Sequence, residues 1–258
     1  MKAKKSYGQH FLNRPDIAER IAHSLIHTDQ YRRILEVGPG QGMLTQHLLR
    51  RDLDLIVVEA DRDMVLYLNK NYPQLKERIV SADFLKVDLK ALFHGESFGL
   101  IGNFPYNISS QILFRMLDYK EQIPEMVGMF QKEVADRVAA GPGSKIYGVI
   151  SVLIQVYYEP TYLFTVEKES FSPPPKVRSA VIRLTRKAKP ETDCSPSLFK
   201  RVVKQAFSQR RKMLRNTMKA FIKNDPILDQ EFFKQRPEQL SIAEFAQLTQ
   251  WIEERIKN

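Results

Sequence analysis

The sequence predicts an α/β fold with a mostly parallel sheet, followed by a small all-helical domain. Three observations support this prediction. Over the first two thirds of the 258 residues, short β-branched runs alternate with segments of helical periodicity. A segment rich in charge and proline then interrupts the pattern, and the rest of the chain shows helical patterns without a strand candidate. Strands that alternate with helices build a parallel sheet with helices on both faces.

Seven runs of residues are strand candidates because they are short, apolar and rich in β-branched side chains. Four belong to the alternating pattern, the fifth leads into a helix, and the last two are expected as a pair at one edge of the sheet. In chain order they are "RRILEVG" (32–38), "DLIVVEA" (54–60), "RIVSADF" (78–84), "FGLIGNF" (98–104), "EMVGMFQ" (125–131), "PTYLFTVEKE" (160–169) and "VRSAVIRLT" (177–185).

The segments between the strand candidates are expected to be helical crossovers, because parallel strands cannot be joined by tight turns. Their apolar residues recur at helical spacing, or the segment is long enough for a crossover. In chain order they are "GMLTQHLLRR" (42–51), "DMVLYLNKNY" (63–72), "VDLKALF" (87–93) and "KEVADRVAA" (132–140).

The boundary between the two domains is expected at 186–196. This segment contains charges and two prolines and has no periodicity, which is typical of a linker. The α/β domain is therefore expected at 1–185 and the helical domain at 197–258. Within the latter, 197–223 and 241–257 have helical patterns.

Composition indicates a globular protein and excludes several classes. With 43% hydrophobic and 27% charged residues, the chain is not expected to be disordered. Its apolar runs are too short to span a bilayer, and its start lacks the apolar core of a signal peptide. The single cysteine, Cys194, has no disulfide partner in the chain, and no Cys or His cluster has metal-ligand spacing. We therefore expect a cytoplasmic protein without a membrane span or a metal.

Positive charge is concentrated in one segment. The net charge of the chain is +10, and residues 186–223 alone contain 12 Lys and Arg against 2 Asp and Glu, also a net of +10. The other residues therefore sum to zero. Such a concentration indicates a surface that binds a polyanion, whereas evenly spread charge would indicate solubility alone. The alternative interpretation is a solvated helix face.

The candidate polyanion contacts lie in a segment expected to be helical. Over 207–223, residues four apart would share one helix face and form a stripe of cations. Like charges along one face destabilise an isolated helix slightly, so the stripe favours a counter-charge supplied from outside the chain. The stripe and its flanks consist of Arg210, Arg211, Lys212, Arg215 and Lys219. A basic amino-terminal arm supplies Lys2, Lys4 and Lys5 as a second group.

A glycine-rich turn follows the first predicted strand. In "EVGPGQG" (36–42) the glycines allow the backbone to turn sharply and to approach a ligand closely. The spacing is G-x-G-x-G, which differs from the G-x-G-x-x-G of dinucleotide-binding proteins. Taken alone, the motif is also compatible with a tight strand-to-helix turn that binds nothing.

Two carboxylates follow at the ends of the next two predicted strands. Glu59 comes 21 residues after Gly38, where a carboxylate accepts hydrogen bonds from both ribose hydroxyls of a bound nucleoside. Asp83 ends the third strand, where it is either an acceptor for an adenine amino group or a helix cap. Open parallel sheets bind ligands at these strand ends. The pattern predicts an adenosine-containing ligand, either a nicotinamide dinucleotide or S-adenosylmethionine.

The end of the fourth predicted strand favours S-adenosylmethionine. The stretch "IGNFPYNISS" (101–110) resembles the (Asp/Asn/Ser)-x-Pro-(aromatic) motif of amino-group methyltransferases. The amino nitrogen of adenine is a poor nucleophile because its lone pair is delocalised into the ring. Acceptors for its two N–H groups would favour a pyramidal nitrogen whose lone pair points at the sulfonium methyl group. We expect the Asn103 side-chain oxygen and the Phe104 carbonyl, directed by Pro105, to be these acceptors.

Tyr106 completes this motif as the ring on which the target base would stack after it leaves its own stack. A strong general base is not needed, because the N6 proton becomes acidic once the nitrogen is alkylated. Catalysis would depend on proximity and alignment. The alternative interpretation of the motif is an Asn turn with two aromatic side chains in the core.

Seven motifs in order make the chain similar, nearly end to end, to the ribosomal RNA adenine N6-dimethyltransferase family and, within it, to the small-subunit branch. They are "KKSYGQHFL" (4–12), "ILEVGPGQGMLT" (34–45), "VVEADRDM" (57–64), "GNFPYNISSQIL" (102–113), "MFQKEVADRV" (129–138), "FSPPPKVRSAV" (171–181) and "FSQRRKMLRN" (207–216).

The resemblance implies a Rossmann-like S-adenosylmethionine-dependent methyltransferase fold and a set of site residues. The family often has Asn where this chain has His10, and Leu or Ile where it has Phe104. Phe171 resembles a family residue near the target base, although a loop aromatic packed on the sheet is the alternative. The methyl-donor contacts carried over are His10, Leu12, Gly38, Glu59, Asp83 and Asn103. The catalytic group carried over is Asn103, Phe104, Pro105, Tyr106 and Phe171.

The resemblance also implies an activity and a partner. The expected enzyme dimethylates two adjacent adenines in the hairpin loop near the 3′ end of 16S rRNA during small-subunit biogenesis. Its methyl donor is S-adenosylmethionine, its partner is the small ribosomal subunit, and it is expected to be a monomer. Two alternatives remain at this point: a large-subunit rRNA dimethyltransferase of the macrolide-resistance type, and a non-catalytic RNA-binding assembly factor.

Overall fold

The computed structural model describes residues 8–256. The expected basic arm with Lys2, Lys4 and Lys5 lies outside the described residues. Within that range the chain forms two compact units. The first contains 8–135 and 160–186, and the second contains 136–159 and 187–256.

Nine β-strands lie within residues 8–256, and they include all seven that the sequence predicts. The two further strands, β1 and β8, have two residues each and pair with each other in antiparallel orientation, with Leu12 opposite Phe171. The strands are β1 (Phe11–Leu12), β2 (Arg33–Val37), β3 (Asp54–Glu59), β4 (Ile79–Ser81), β5 (Phe98–Asn103), β6 (Glu125–Gln131), β7 (Tyr158–Val166), β8 (Phe171–Ser172) and β9 (Ser179–Arg186).

The other seven strands form one sheet in the order β4-β3-β2-β5-β6-β9-β7. Each neighbouring pair from β4 to β6 is parallel, and β9 lies antiparallel to β6. The prediction of a mostly parallel sheet is therefore confirmed. On one side of β2 the chain continues to β3 and on the other side lies β5, so the strand order reverses at β2. Open α/β sheets bind ligands in the crevice at the carboxyl ends of strands next to such a reversal.

Ten α-helices lie within the described range. They are α1 (Pro15–Ala22), α2 (Thr45–Leu48), α3 (Arg62–Asn71), α4 (Leu89–Leu92), α5 (Ser109–Asp118), α6 (Lys132–Ala139), α7 (Val149–Gln155), α8 (Pro196–Phe207), α9 (Leu214–Met218) and α10 (Ile242–Ile256). Helices α2 to α4 and α6 occupy the four predicted crossover or helical segments, although α2 and α4 have only four residues each.

The second unit includes a segment that the sequence analysis assigns to the 1–185 domain. Helix α7 packs against α8, and α8 packs against α9 and α10. The rings of Tyr147, Phe207 and Phe245 form part of its core, with centroid separations of 6.1 and 5.7 Å along that chain of contacts. By its contacts, 136–159 therefore belongs with the carboxyl-terminal helices, and the domain division of the sequence analysis stays a prediction.

The predicted continuous helix over 207–223 is wrong. Helix α8 ends at Phe207, a turn follows, and α9 begins only at Leu214. The residue before α9, Met213, has extended backbone angles (φ −66°, ψ 152°), and the Leu214 N–H donates to the distant Gln235 carbonyl at 2.9 Å. The cations of this segment are therefore divided between a turn and a short helix, and the predicted single stripe does not form.

A buried carboxylate ties the loop after α1 to the sheet. Glu125, the first residue of β6, is fully buried. Its carboxylate accepts from the backbone N–H groups of Ile26 and His27 at 3.1 Å and from the Tyr31 hydroxyl at 2.6 Å. The Arg183 guanidinium on β9 lies 3.9 Å away. Because a buried carboxylate requires several donors, this cluster fixes the loop on strands β6 and β9.

Candidate active site

A cavity of about 770 Å³ lies at the carboxyl ends of the parallel strands. This volume is in the range of small-molecule sites in proteins. Its walls are formed by residues 8–12, the glycine-rich loop after β2, and the residues that follow β3, β4 and β5. Among the sequence-predicted site residues, it is lined by His10, Leu12, Gly38, Glu59, Asp83, Asn103, Phe104, Pro105 and Tyr106.

The glycine-rich loop forms one wall with its backbone. Gly38, Gly40 and Gly42 all have positive φ, at +68°, +55° and +81°. A Cβ at Gly42 would lie 2.5 Å from the ring of Tyr72, whose hydroxyl donates to the Gly42 carbonyl at 3.1 Å. A side chain at this position would therefore both strain the backbone and displace the ring that holds the loop.

Glu59 at the end of β3 is held by the loop that it faces. Its side chain is buried, and the two carboxylate oxygens accept from the backbone N–H groups of Gly40 at 3.1 Å and Asp61 at 2.9 Å. Burial raises the pKa of Glu59, whereas these hydrogen bonds act in the opposite direction. A carboxylate offers about four acceptor positions, so two remain for the ribose hydroxyls of a ligand.

The position of Asp83 is compatible with both interpretations of it, as an acceptor for an adenine amino group and as a cap. One carboxylate oxygen, Oδ1, accepts from the Leu85 N–H at 3.0 Å, as a residue that caps a turn would do. The side chain is exposed and lines the cavity, so Oδ2 is an acceptor for a ligand. The turn thus fixes the direction in which the second oxygen points.

Asn103 at the end of β5 has its amide orientation set by the amino-terminal segment. The Nδ2 group donates to the His10 backbone carbonyl at 3.1 Å. A carbonyl only accepts, so the amide nitrogen must face His10 and Oδ1 is left as the acceptor. This is the orientation that binding of an adenine amino group requires.

The rings of Phe104 and Tyr106 differ in their burial and in their access to the cavity. The Phe104 ring is buried, lies 5.0 Å from the Phe130 ring, and fills the space over Gly102 and Gly128. Its side chain is therefore part of the core, and only its backbone carbonyl is a candidate acceptor. The ring of Tyr106 is partly buried and lines the cavity. The alternative interpretation of two core aromatics thus holds for Phe104 and not for Tyr106.

Phe171 has surroundings different from those of the other predicted catalytic residues. Its side chain is 2% exposed and is not among the side chains that line the cavity. Strand β8 pairs with β1, which places Phe171 beside Leu12 in the core of the first unit. This arrangement favours the interpretation of Phe171 as an aromatic side chain packed on the sheet, and its place near the target base stays a prediction.

Glu36 at the end of β2 lines the cavity but was missed by the sequence analysis. It is 1% exposed, and its carboxyl accepts from the Thr45 hydroxyl at 2.7 Å. Burial raises the pKa of Glu36 to about 8, while the hydrogen bond from Thr45 lowers it. The signal for it was its place as the first residue of "EVGPGQG".

The predicted polyanion contacts lie in the second unit. Arg211, Lys212, Arg215 and Lys219 are exposed. Arg210 is partly buried, and its guanidinium donates to the Ser144 carbonyl at 3.0 Å. Four of the five predicted cations therefore present their charge to solvent, although they do not share one helix face.

In the part of the chain that the structure describes, no group of three or more His, Cys, Asp and Glu side chains is arranged to hold a metal ion. None of the helices in 8–256 has both the length and the apolar character needed to cross a membrane.

Residues 1–254 match the sequence model of the ribosomal RNA adenine dimethylase family. The chain belongs to this family. Membership confirms the predicted enzyme class, an S-adenosylmethionine-dependent rRNA adenine dimethyltransferase, and S-adenosylmethionine as its methyl donor. The cavity suits this donor, because Glu59 retains acceptor positions for ribose hydroxyls and Asp83 retains one for an adenine amino group.

Two bacterial relatives are similar over nearly the whole chain. The ribosomal RNA small subunit methyltransferase A of Parabacteroides distasonis is 56% identical over 250 residues, which cover 96% of this chain and 93% of that protein. The protein of the same name from Bacteroides fragilis is 52% identical over 258 residues, which cover 100% and 94%.

Solved structures establish the fold. A dimethyladenosine transferase from Plasmodium falciparum has a TM-score of 0.76 at 24% identity, covering 96% of this chain and 98% of that one. The 23S rRNA methyltransferase ErmE has a TM-score of 0.70 at 23% identity, covering 94% and 99%. The predicted Rossmann-like methyltransferase fold is thereby confirmed.

Replacement of Glu59 by alanine is expected to weaken S-adenosylmethionine binding by about 2 kcal/mol or more, because a charged acceptor is lost. Titration calorimetry measures the affinity. The variant Glu59→Gln, which keeps one side-chain oxygen, should lose less. Glu77→Ala, which removes an exposed carboxylate that does not line the cavity, is the matched control. Unchanged affinity in Glu59→Ala would show that the ribose is held elsewhere.

Proposed function

We propose that this protein dimethylates two adjacent adenines in the hairpin loop near the 3′ end of 16S rRNA during small-subunit biogenesis. The observation that carries the proposal is the orientation of Asn103, whose Nδ2 is occupied by the His10 carbonyl and whose Oδ1 faces away from it. The identity above 50% to small-subunit methyltransferases over the whole chain supports this choice of RNA. We also propose that the enzyme acts in the cytoplasm as a monomer.

The proposed role of the site residues is to position the base, and no residue has to remove a proton before transfer. Asn103 Oδ1 and the Phe104 carbonyl accept the two N–H groups of the adenine N6, which directs the nitrogen lone pair towards the methyl group. The Tyr106 ring stacks on the extruded base, a contact worth about 1 to 3 kcal/mol per base. The donor supplies the activated methyl group, and alignment of the two reactants accounts for most of the rate increase.

The proposed substrate is tested by measuring methyl transfer from labelled donor with three acceptors in parallel. These are immature small subunits, large-subunit rRNA, and a reaction without RNA. Transfer of four methyl groups per small subunit is the expected result. Transfer to large-subunit rRNA instead would support the macrolide-resistance type of activity, and RNA binding without transfer would support a non-catalytic assembly factor.

The exposed cations of the second unit are proposed to bind rRNA phosphates. Each phosphate neutralised on a duplex segment contributes about 0.9 to the dependence of log K on log salt concentration. Replacing Arg211, Arg215 and Lys219 with Gln is therefore expected to weaken small-subunit binding and to flatten this slope by about 2 to 3 units. Binding measurements over a series of salt concentrations give the slope.

A matched control removes three exposed lysines from the first unit, in the variant Lys70→Gln, Lys76→Gln, Lys90→Gln. The change in net charge is the same in both triple variants, so a local contact with RNA affects only one of them. Equal slopes in the two variants would mean that the cations of α9 and the preceding turn form an ordinary solvated surface.

A further inference from the structure

Two contacts hold the Tyr106 side chain, and both are made with residues distant in the chain. Its hydroxyl makes a 2.5 Å hydrogen bond with the Ser179 hydroxyl. Its ring stacks on the His10 imidazole, with a centroid separation of 5.3 Å and an angle of 28° between the planes. The sequence analysis did not select Ser179 as a site residue, and it placed His10 among the methyl-donor contacts.

Ser179 is a rigid anchor. It is the first residue of β9, its side chain is fully buried, and it pairs with Gln131 on β6. The preceding residue is held as well, because the Arg178 carbonyl accepts from the Lys132 N–H at 2.9 Å. Strand β6 is the neighbour of β5, which ends in Asn103. The anchor on β9 and the proposed base acceptor Asn103 at the end of β5 thus belong to one sheet, with β6 between them.

His10 is itself fixed in place. Its Nδ1 lies 2.8 Å from the Pro173 carbonyl, so Nδ1 carries a proton and donates it to that oxygen. Its own carbonyl accepts from Asn103 Nδ2. One hydrogen bond thus holds the imidazole, and a second holds the backbone of the same residue.

The two contacts control different movements of the tyrosine ring. A hydrogen bond at the hydroxyl fixes the position of the ring tip but leaves the ring free to rotate about the axis through the tip. A stacked neighbour restricts that rotation. Burial raises the pKa of the Tyr106 hydroxyl, so the group stays protonated and uncharged beside Ser179. Because the hydroxyl end of the Tyr106 ring is fixed and rotation of the ring plane is restricted, the ring presents a fixed face to the cavity.

We propose that Ser179 and His10 are positioning residues that together fix the Tyr106 ring for stacking on the target adenine. This inference rests on the proposed function. Without these contacts the tyrosine ring could still stack on a base, but its orientation would no longer be fixed. The consequence is a slower transfer step. Loss of the Ser179 contact should leave the donor affinity unchanged, because Ser179 does not line the cavity.

The test for Ser179 is a double-mutant cycle with Ser179→Ala and Tyr106→Phe, which remove the two partners of one hydrogen bond. We expect each to reduce the single-turnover rate of methyl transfer to small subunits about three- to tenfold, the range for one hydrogen bond. The double variant should be no slower than the slower single variant, because all three lack the same bond. The S-adenosylmethionine affinity should not change in any of them.

A buried serine elsewhere provides the control for a purely structural effect. Ser151 is fully buried, and its hydroxyl donates to the Arg137 carbonyl in the second unit. Ser151→Ala should lower the melting temperature to a similar extent as Ser179→Ala and leave the transfer rate at the wild-type value. If Ser179→Ala changed only the melting temperature, or if the losses in the cycle were additive, the positioning role of Ser179 would be overturned.

The role of His10 is tested by two substitutions that separate ring from hydrogen bond. His10→Phe keeps an aromatic plane beside Tyr106 and loses the bond to Pro173, whereas His10→Ala loses both. The expected order of single-turnover rates is wild type, then His10→Phe, then His10→Ala. A fully active His10→Ala variant would remove His10 from the proposal. Wild-type protein that transfers no methyl to small subunits would instead overturn the proposed function itself.

Discussion

Asn103→Ala is expected to reduce methyl transfer to small subunits by about 10²-fold or more, the scale observed when a preorganised hydrogen-bonding group is removed from a transition state. The reason is that Asn103 Oδ1 is proposed to accept an N–H group that grows more acidic as the bond to carbon forms. The loss should be in the single-turnover rate, measured with saturating donor and saturating small subunits.

Two further variants define the cause of that loss. Asn103→Asp keeps an acceptor but no longer donates to the His10 carbonyl, so it should be intermediate between wild type and Asn103→Ala. Asn69→Ala removes an exposed amide from α3 and should transfer methyl groups at the wild-type rate. If Asn103→Ala retained more than half of the wild-type rate, the amide would not be an acceptor for the substrate.

Glu125→Ala is expected to lower the free energy of unfolding of the protein by about 3 to 5 kcal/mol, the scale for breaking a buried charge cluster. The substitution leaves the Ile26 and His27 N–H groups, the Tyr31 hydroxyl and the Arg183 guanidinium without the acceptor they surround. Burial raises the pKa of Tyr31, so its hydroxyl remains a donor with no partner. Urea denaturation followed by circular dichroism measures the change.

The control for this effect is Glu121→Ala, which removes an exposed carboxylate shortly before β6. Its effect should lie within about 0.5 kcal/mol of zero, as for most surface substitutions. If Glu125→Ala is too unstable to purify, Glu125→Gln keeps one side-chain acceptor and should show a smaller loss. Equal stability of Glu125→Ala and Glu121→Ala would mean that the buried cluster contributes nothing net to the fold.

The sheet and the donor side of the site were accessible to sequence analysis because their signals are local. Each strand is a short apolar run, and the residues that follow it stand at the same sheet edge. Gly38, Glu59, Asp83 and Asn103 were found in this way, and the structure brings all four to one cavity.

The features that sequence analysis missed depend on contacts between distant parts of the chain. Phe171 is buried because β8 pairs with β1, about 160 residues away in the chain. Helix α9 starts where it does partly because the Leu214 N–H is bound by the Gln235 carbonyl. Ser179 meets Tyr106 only because β9 lies next to β6 in the sheet. None of these partners is marked by the local pattern of residue types.

The packing of Phe104 depends on two neighbouring residues that have no side chain. A Cβ at Gly128 would lie 2.3 Å from the Phe104 ring, and one at Gly102 would lie 2.8 Å from it. A Cβ at Gly102 would also lie 2.7 Å from the Val37 carbonyl oxygen, and one at Gly128 would lie 2.5 Å from the Phe130 ring. A side chain at either glycine would therefore displace the Phe104 ring, and with it the backbone carbonyl that is the proposed acceptor for the target base.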